Sequence, residues 1–319
     1  MKTVLTIAGS DSSGGAGIQA DIKTVTAHGL FATSAITALT AQNTTGVYGI
    51  YAVDADFVKR QLDCIFNDIY PDAVKIGMLS DESVIAAVCE RLSFYKAKNI
   101  VLDPVMVSTS GSRLLTAGAE KKLTELFRLA AVITPNIPEA ERLLANAFNG
   151  TENYGNIEYE ETFHAKILNE NDMRRAAITL SNAAGCAVLV KGGHLIDGGT
   201  PCCNSETNNK KTSSFTACEN SKCQNTDTDS ETNGAKKAVD CLAENGILTM
   251  FSSGIVKNPN THGTGCTLSS AIACGLANGK TLKESIAAAK KYLAAALNAN
   301  LNLGKGRGPL NHMVKTDLF

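Results

Sequence analysis

Short apolar runs alternate with longer segments of helical periodicity along most of this chain, and that alternation limits the fold more than any other feature. The runs are Val4–Ala8, Ser34–Leu39, Ala73–Ile76, Ile100–Leu102, Ala131–Ile133, Ala187–Val190 and Ile247–Met250. Their brevity and their glycine, proline or polar borders read as buried strands. Between them, helical patterns cover Ala16–His28, Asp56–Phe66, Asp81–Tyr95, Ala117–Leu129, Asn136–Ala147 and Asn171–Ala184. Two closing helices are expected near Thr267–Ala277 and Leu282–Ala299. Repeated strand–helix–strand units build a mostly parallel sheet with helices on both faces, a three-layer α/β sandwich. Ligands of such sheets bind beyond the C-terminal ends of the strands.

Two polar segments break the rhythm, at about 146–170 and 198–245. The second is dominated by Asn, Thr, Ser, Lys and Glu, and lacks the apolar residues needed for a core. Both read as insertions in a single domain spanning 1–319. Half of the 10 cysteines (Cys202, Cys203, Cys218, Cys223 and Cys241) lie in the longer one; only Cys218 and Cys223 approach metal-ligand spacing, and no second pair or nearby histidine completes a site. Net charge is −1, which argues against nucleic acid or an anionic membrane as partner. No apolar run approaches a membrane span, and the N-terminus reads as a first strand rather than a leader, so a cytoplasmic protein is expected.

Several strand ends carry chemistry. The run Ile7-Ala-Gly-Ser-Asp-Ser-Ser-Gly-Gly-Ala-Gly-Ile-Gln-Ala-Asp21 contains Gly15, Gly17 and Ala20 in dinucleotide-fingerprint spacing. The acid that should follow at the end of the second strand is absent from Ser34–Asn43, and no Gly-Lys-Ser/Thr completes a phosphate loop. Asp21 and Gln42 are expected toward the C-terminal ends of the first two βα units. In Ile100–Met106, Asp103 falls where a strand ends, a suitable place for a Mg²⁺ ligand as well as for an ordinary Asp-Pro turn. Asn136 and Glu139 have capping-box spacing, and with Asp103 they bring two carboxylates and an amide to one sheet edge. Lys191 ends the next strand, placed either to meet a phosphate or to sit in solvent. Gly263 and Gly265 precede a helix rich in small residues. Unpaired N–H groups from Gly263 through Thr264 and Gly265 to Cys266 would form an anion site there. His28 and His194 are read as surface or core residues.

Taken together, "TIAGSDSSGGAGIQAD", "AQNT", "KIGMLS", "DPVM", "ITPNIPEA", "VKGGH", "NTHGTGCT" and "GKGRGPLNH" occur in a set order. In this the chain closely resembles the bacterial hydroxymethylpyrimidine/phosphomethylpyrimidine kinases of thiamine biosynthesis, in the ribokinase-like superfamily. The resemblance spans about residues 1–145, 171–197 and 247–319. It implies a ribokinase-like sandwich that uses ATP and Mg²⁺ to phosphorylate a hydroxymethylpyrimidine and then its monophosphate. It also implies a homodimer. The pyrimidine would be held by Gln42, Gly9, Asp21, Met78 and Val105, and ATP by Lys191, Asn136 and Thr261. The metal would sit on Asp103 and Glu139, and the transferring phosphoryl group on Gly263, Thr264, Gly265 and Cys266. The superfamily's sugar kinases usually carry an aspartate base at the position of Cys266, and a helix N-terminus would lower the thiol's pKa. The rival readings are a pyridoxal kinase with the same signatures, a pyrimidine-binding protein without turnover and, distantly, a dehydrogenase.

Overall fold

In a computed structural model the described residues are 1–106, 117–149, 166–193, 223–227 and 237–314. The strands are β1 (Thr3–Asp11), β2 (Phe31–Asn43), β3 (Gly46–Ala52), β4 (Ala73–Ile76), β5 (Ile100–Leu102), β6 (Val132–Ile133), β7 (Ala187–Lys191), β8 (Cys223–Asp227), β9 (Lys237–Glu244) and β10 (Ile247–Gly254). The helices are α1 (Gly17–Ala27), α2 (Ala55–Asp68), α3 (Glu82–Phe94), α4 (Ala117–Phe127), α5 (Ile137–Asn149), α6 (Glu170–Ala184), α7 (Thr264–Ala277) and α8 (Leu282–Asn298).

All ten strands form one sheet in the order β3-β2-β1-β4-β5-β6-β7-β9-β10-β8. The run from β2 to β7 is parallel throughout. β3 and β9 join antiparallel, as hairpin partners of β2 and β10. Alternate side chains of the central strands feed two cores. Leu5, Ile7, Val74, Ile76, Ile100 and Leu102 pack on one face with α2 to α6. Val4, Ala73 and Val101 face the other side, with the buried residues of α7 and α8. Helix α7 is buried along nearly its whole length, which explains its alanines and serines: at Gly275 a Cβ would come within 2.5 Å of Ser285 Oγ on α8.

The expected sandwich is therefore present, with four differences, one of which is β8, a strand inside the expected 198–245 insertion that pairs in parallel with β10. β3 was not anticipated, because Gly46–Ala52 has exposed aromatic residues rather than a buried run. Residues 237–244, read as the end of a polar insertion, form β9, an interior strand whose Val239, Cys241, Leu242 and Ala243 are buried between β7 and β10. Helix α7 begins at Thr264 rather than Thr267, with Gly263 at its N-cap. Cys202, Cys203, Cys218 and His194 lie outside the described residues.

Candidate active site

Because β1, β2, β4, β5, β6 and β7 run the same way, their C-terminal ends meet at one edge. There they enclose a cavity of about 310 Å³. Gly9, Gln42, Met78, Val105, Asp103, Asn136, Glu139, Lys191, Thr261, Gly263, Thr264, Gly265 and Cys266 all line it, so every anticipated site residue but one converges there. The exception is Asp21. It sits on α1 rather than at a strand end, fully buried behind the cavity. Its Oδ2 accepts from Thr6 Oγ1 at 2.6 Å and Lys75 Nζ at 2.8 Å, and its Oδ1 accepts from Ser270 Oγ at 2.8 Å. The period-2 alternation of β4 turns Lys75 toward this face, where it forms part of the cavity wall. Burial alone would pull the Lys75 ammonium down, but Asp21, Cys266 and Asp103 hold it above its ordinary value.

The N-terminus of α7 points into the cavity. Gly263 takes φ of 85°, and a Cβ there would lie 1.9 Å from Gly15 O, so only glycine allows this turn. The Thr264 N–H reaches Thr261 O at 3.3 Å and the Thr267 N–H reaches Gly263 O at 2.9 Å. Among the described residues the Gly265 and Cys266 N–H groups have no acceptor, which leaves two donors and the helix dipole for an anion. Gly265 packs against Asp103, whose Oδ2 would be 3.1 Å from a Cβ at that position.

A charged cluster lies beside this helix start. Lys191 Nζ donates to Asp103 Oδ1 at 2.8 Å, and Thr134 Oγ1 donates to the same oxygen at 3.1 Å. Asn136 and Glu139 form the reciprocal cap that their spacing suggested, each backbone N–H donating to the other's side chain at 2.9 Å. Burial pushes the Glu139 carboxyl up to about 7; Lys191 opposes this and Asp103 adds to it. Among the described residues no cluster of three His, Cys, Asp or Glu could enclose a metal ion. Two carboxylates beside an anion site suit a hard divalent cation that keeps waters and phosphate oxygens as its other ligands.

The Cys266 thiol departs from expectation. Burial, with Asp21 and Asp103, pushes it up to about 11, against the pull of Lys75 and of the Gly17 N–H. Desolvation outweighs the helix terminus here.

Three residues were missed by sequence reasoning: Asp11, His262 and Lys75. His262 Nε2 lies 2.8 Å from Asp11 Oδ2 and 3.3 Å from the side-chain amide of Gln42, joining the α7 approach loop to the ends of β1 and β2. It stands immediately before the N-cap of α7. Lys75 could have been suspected as a lysine inside the apolar strand "AVKI".

The phosphomethylpyrimidine kinase family model matches residues 11–160 and 228–311. The chain belongs to this family. It is 40% identical to the hydroxymethylpyrimidine/phosphomethylpyrimidine kinase of Rhizobium meliloti, over 97% of this chain and 96% of that one. It is 42% identical to the thiamine biosynthesis bifunctional protein ThiED of Geobacter sulfurreducens over 99% of its own length, but spans only 53% of that protein. The pyridoxal kinase of Staphylococcus aureus, solved with AMP-PCP and pyridoxal, superposes with a TM-score of 0.73 at 27% identity, covering 98% of this chain and 94% of that one. The sandwich is ribokinase-like, and the chain is an ATP-using phosphotransferase of thiamine biosynthesis.

Proposed function

We propose that this enzyme uses MgATP to phosphorylate 4-amino-5-hydroxymethyl-2-methylpyrimidine, and then phosphorylates the monophosphate to the diphosphate in the same cavity. One observation carries the reading. A glutamine amide able to pair with an aminopyrimidine (Gln42) lines the same cavity as two unengaged N–H groups and a lysine–carboxylate cluster. Gly9, Met78 and Val105 shape the pyrimidine side. Lys191, Asn136 and Thr261 would face the nucleotide, and Asp103 with Glu139 would hold Mg²⁺, which would supply neutralisation of phosphate charge. The Gly265 and Cys266 N–H groups receive the transferring phosphoryl oxygens, whose charge is spread in a loose transition state. With its thiol near 11, Cys266 is not a standing thiolate at neutral pH. A thiol that already holds its hydrogen cannot take the hydroxymethyl proton, so Cys266 serves through its backbone N–H and that proton passes to an oxygen of the transferred phosphoryl group; the second reaction needs no base because its acceptor is already ionised. Asp21 supports the site through Lys75 rather than by touching substrate.

We also infer a cytoplasmic homodimer. The exposed Tyr48, Ile50 and Tyr51 on edge strand β3 support self-association, and light scattering would test it. No described helix is long and apolar enough to cross a membrane, and a net charge of −1 supports small molecules rather than nucleic acid as ligands. The deciding experiment incubates the protein with MgATP and either the hydroxymethylpyrimidine or pyridoxal, and follows products by mass. Pyrimidine monophosphate followed by diphosphate supports the proposal. Pyridoxal phosphate alone overturns it in favour of a pyridoxal kinase.

A further inference from the structure

The hydrogen bonds around Gln42 favour one orientation of its amide. Asp11 Oδ2 accepts from the N–H groups of Gly15 at 3.2 Å and Ala16 at 2.8 Å, and Asp11 Oδ1 accepts from the Ser13 N–H at 2.8 Å. Although burial pushes the Asp11 carboxyl up, His262, the Ser13 hydroxyl and these N–H groups together bring it down to about 2. It is a carboxylate and can only accept. His262 Nε2, 2.8 Å from Asp11 Oδ2, must therefore carry a hydrogen, whether the ring is neutral or charged. That nitrogen also lies 3.3 Å from the near end of the Gln42 amide. An amino group there would set donor against donor, whereas an oxygen there can share the His262 hydrogen. The far end of the amide is compatible with this. Thr40 Oγ1 lies 3.0 Å from Ser10 O and 3.1 Å from the Gln42 amide, and its one hydrogen can serve only one of them. Given to the Ser10 carbonyl, it leaves Thr40 Oγ1 to accept from a Gln42 amino group. The shape of the side chain does not distinguish amide oxygen from nitrogen; the network does.

We propose that Asp11 and His262 fix the Gln42 amide with its oxygen toward His262 and its amino group toward Thr40, and thereby set which way round an aminopyrimidine binds. Two groups remain for a ligand: the second lone pair of the oxygen and the N–H on the same side of the amide. This acceptor–donor edge complements a ring amino group beside a bare ring nitrogen. The amino group lies at the His262 end and the ring nitrogen at the Thr40 end. A 4-oxo analogue carries a carbonyl beside a ring N–H and presents the reverse edge. It pairs only if the amide turns over, and that is resisted at the His262 end because Asp11 prevents Nε2 from becoming an acceptor. Thr40 offers less resistance, since a hydroxyl can rotate. His262 is thus a positioning residue that selects amino over oxo substrates through Gln42.

The inference rests on the pyrimidine reading above, and the test separates the two. Steady-state kcat/KM is measured with the aminopyrimidine and its 4-oxo analogue, for the unmodified enzyme and for His262→Phe, which keeps a flat ring but no N–H. The unmodified enzyme should favour the amino compound by about 10- to 100-fold, as expected when one orientation leaves buried polar groups unpaired. In His262→Phe the preference should fall to about threefold or less, while KM for the amino compound rises about tenfold. A preference unchanged within about twofold, with both substrates weakened alike, would mean that His262 only supports the fold. If His262→Phe does not fold, Asp11→Asn provides the second reading: a side-chain amide there can donate to His262 Nε2, frees that nitrogen to accept from Gln42, and should also lower the preference. An unchanged ratio in that variant would overturn the inference. An unmodified enzyme that turns over neither pyrimidine would instead defeat the functional proposal itself.

Discussion

Replacing Lys75 by methionine tests how the floor of the active site is held. Lys75 and Asp21 are both fully buried and meet at 2.8 Å. Methionine preserves most of the side-chain length but removes the charge, leaving the Asp21 carboxylate with only the Thr6 and Ser270 hydroxyls, at 2.6 and 2.8 Å. An uncompensated charge at a site without solvent access costs about 3–5 kcal/mol. The hydroxyl bonds are already made in the parent protein and cannot be counted again as compensation. The expected loss in Tm is about 4–8 °C at about 1.5 °C per kcal/mol for a chain of this length, and urea unfolding followed by circular dichroism should show a matching fall in midpoint at constant slope. The double variant Lys75→Met with Asp21→Asn removes both charges, and its amide can still meet both hydroxyls, one as donor and one as acceptor. It should recover stability to within about 1 kcal/mol of the parent, because removing both members of a buried pair is often close to neutral. Its turnover should remain at least about tenfold below the parent, because Lys75 also forms part of the cavity wall. A single variant that loses less than about 1 kcal/mol, or a double variant no more stable than the single, would refute the account of Asp21 as a charge held only by Lys75.

Gly263→Ala should lower kcat/KM by about 100-fold or more and reduce Tm, since it adds a Cβ at positive φ against the Gly15 carbonyl; steady-state kinetics and calorimetry check both. Iodoacetamide at pH 7 should label the exposed Cys64 well before Cys266, as followed by peptide mass, because burial holds the Cys266 thiol near 11; equal rates would refute that environment. In metal-free protein, the raised Glu139 carboxyl should make stability fall as pH rises from its ordinary 4.5 through about 7. In that window the unfolded chain has already released the proton that the fold retains. Glu139→Gln should remove this slope in urea unfolding measured across the range, and an unaltered slope would assign it to other groups.

Much of the fold was legible because its signals are local. A parallel strand covered on both faces is a continuous apolar run, as in Ile100–Leu102, and an amphipathic helix repeats over several turns. β9 was missed because Lys237–Glu244 adjoins a long polar segment, and its burial comes from β7 and β10, which the local pattern does not reveal. β3 was missed for the opposite reason: its residues are mostly exposed, so no buried pattern marks it.

The same division runs through the site. By itself the sequence determined which strand ends carry Gln42, Asp103, Asn136 and Lys191, and that a helix starts beside Gly263 and Gly265, because strand ends and helix starts are properties of a few adjacent residues. Only the tertiary structure decided that Asp21 turns away from the cavity to Lys75, that His262 reaches Asp11 and Gln42, and that the Cys266 thiol is raised rather than lowered. Those outcomes depend on which charges and hydroxyls distant segments bring within about 3 Å, and on how much water the packing excludes.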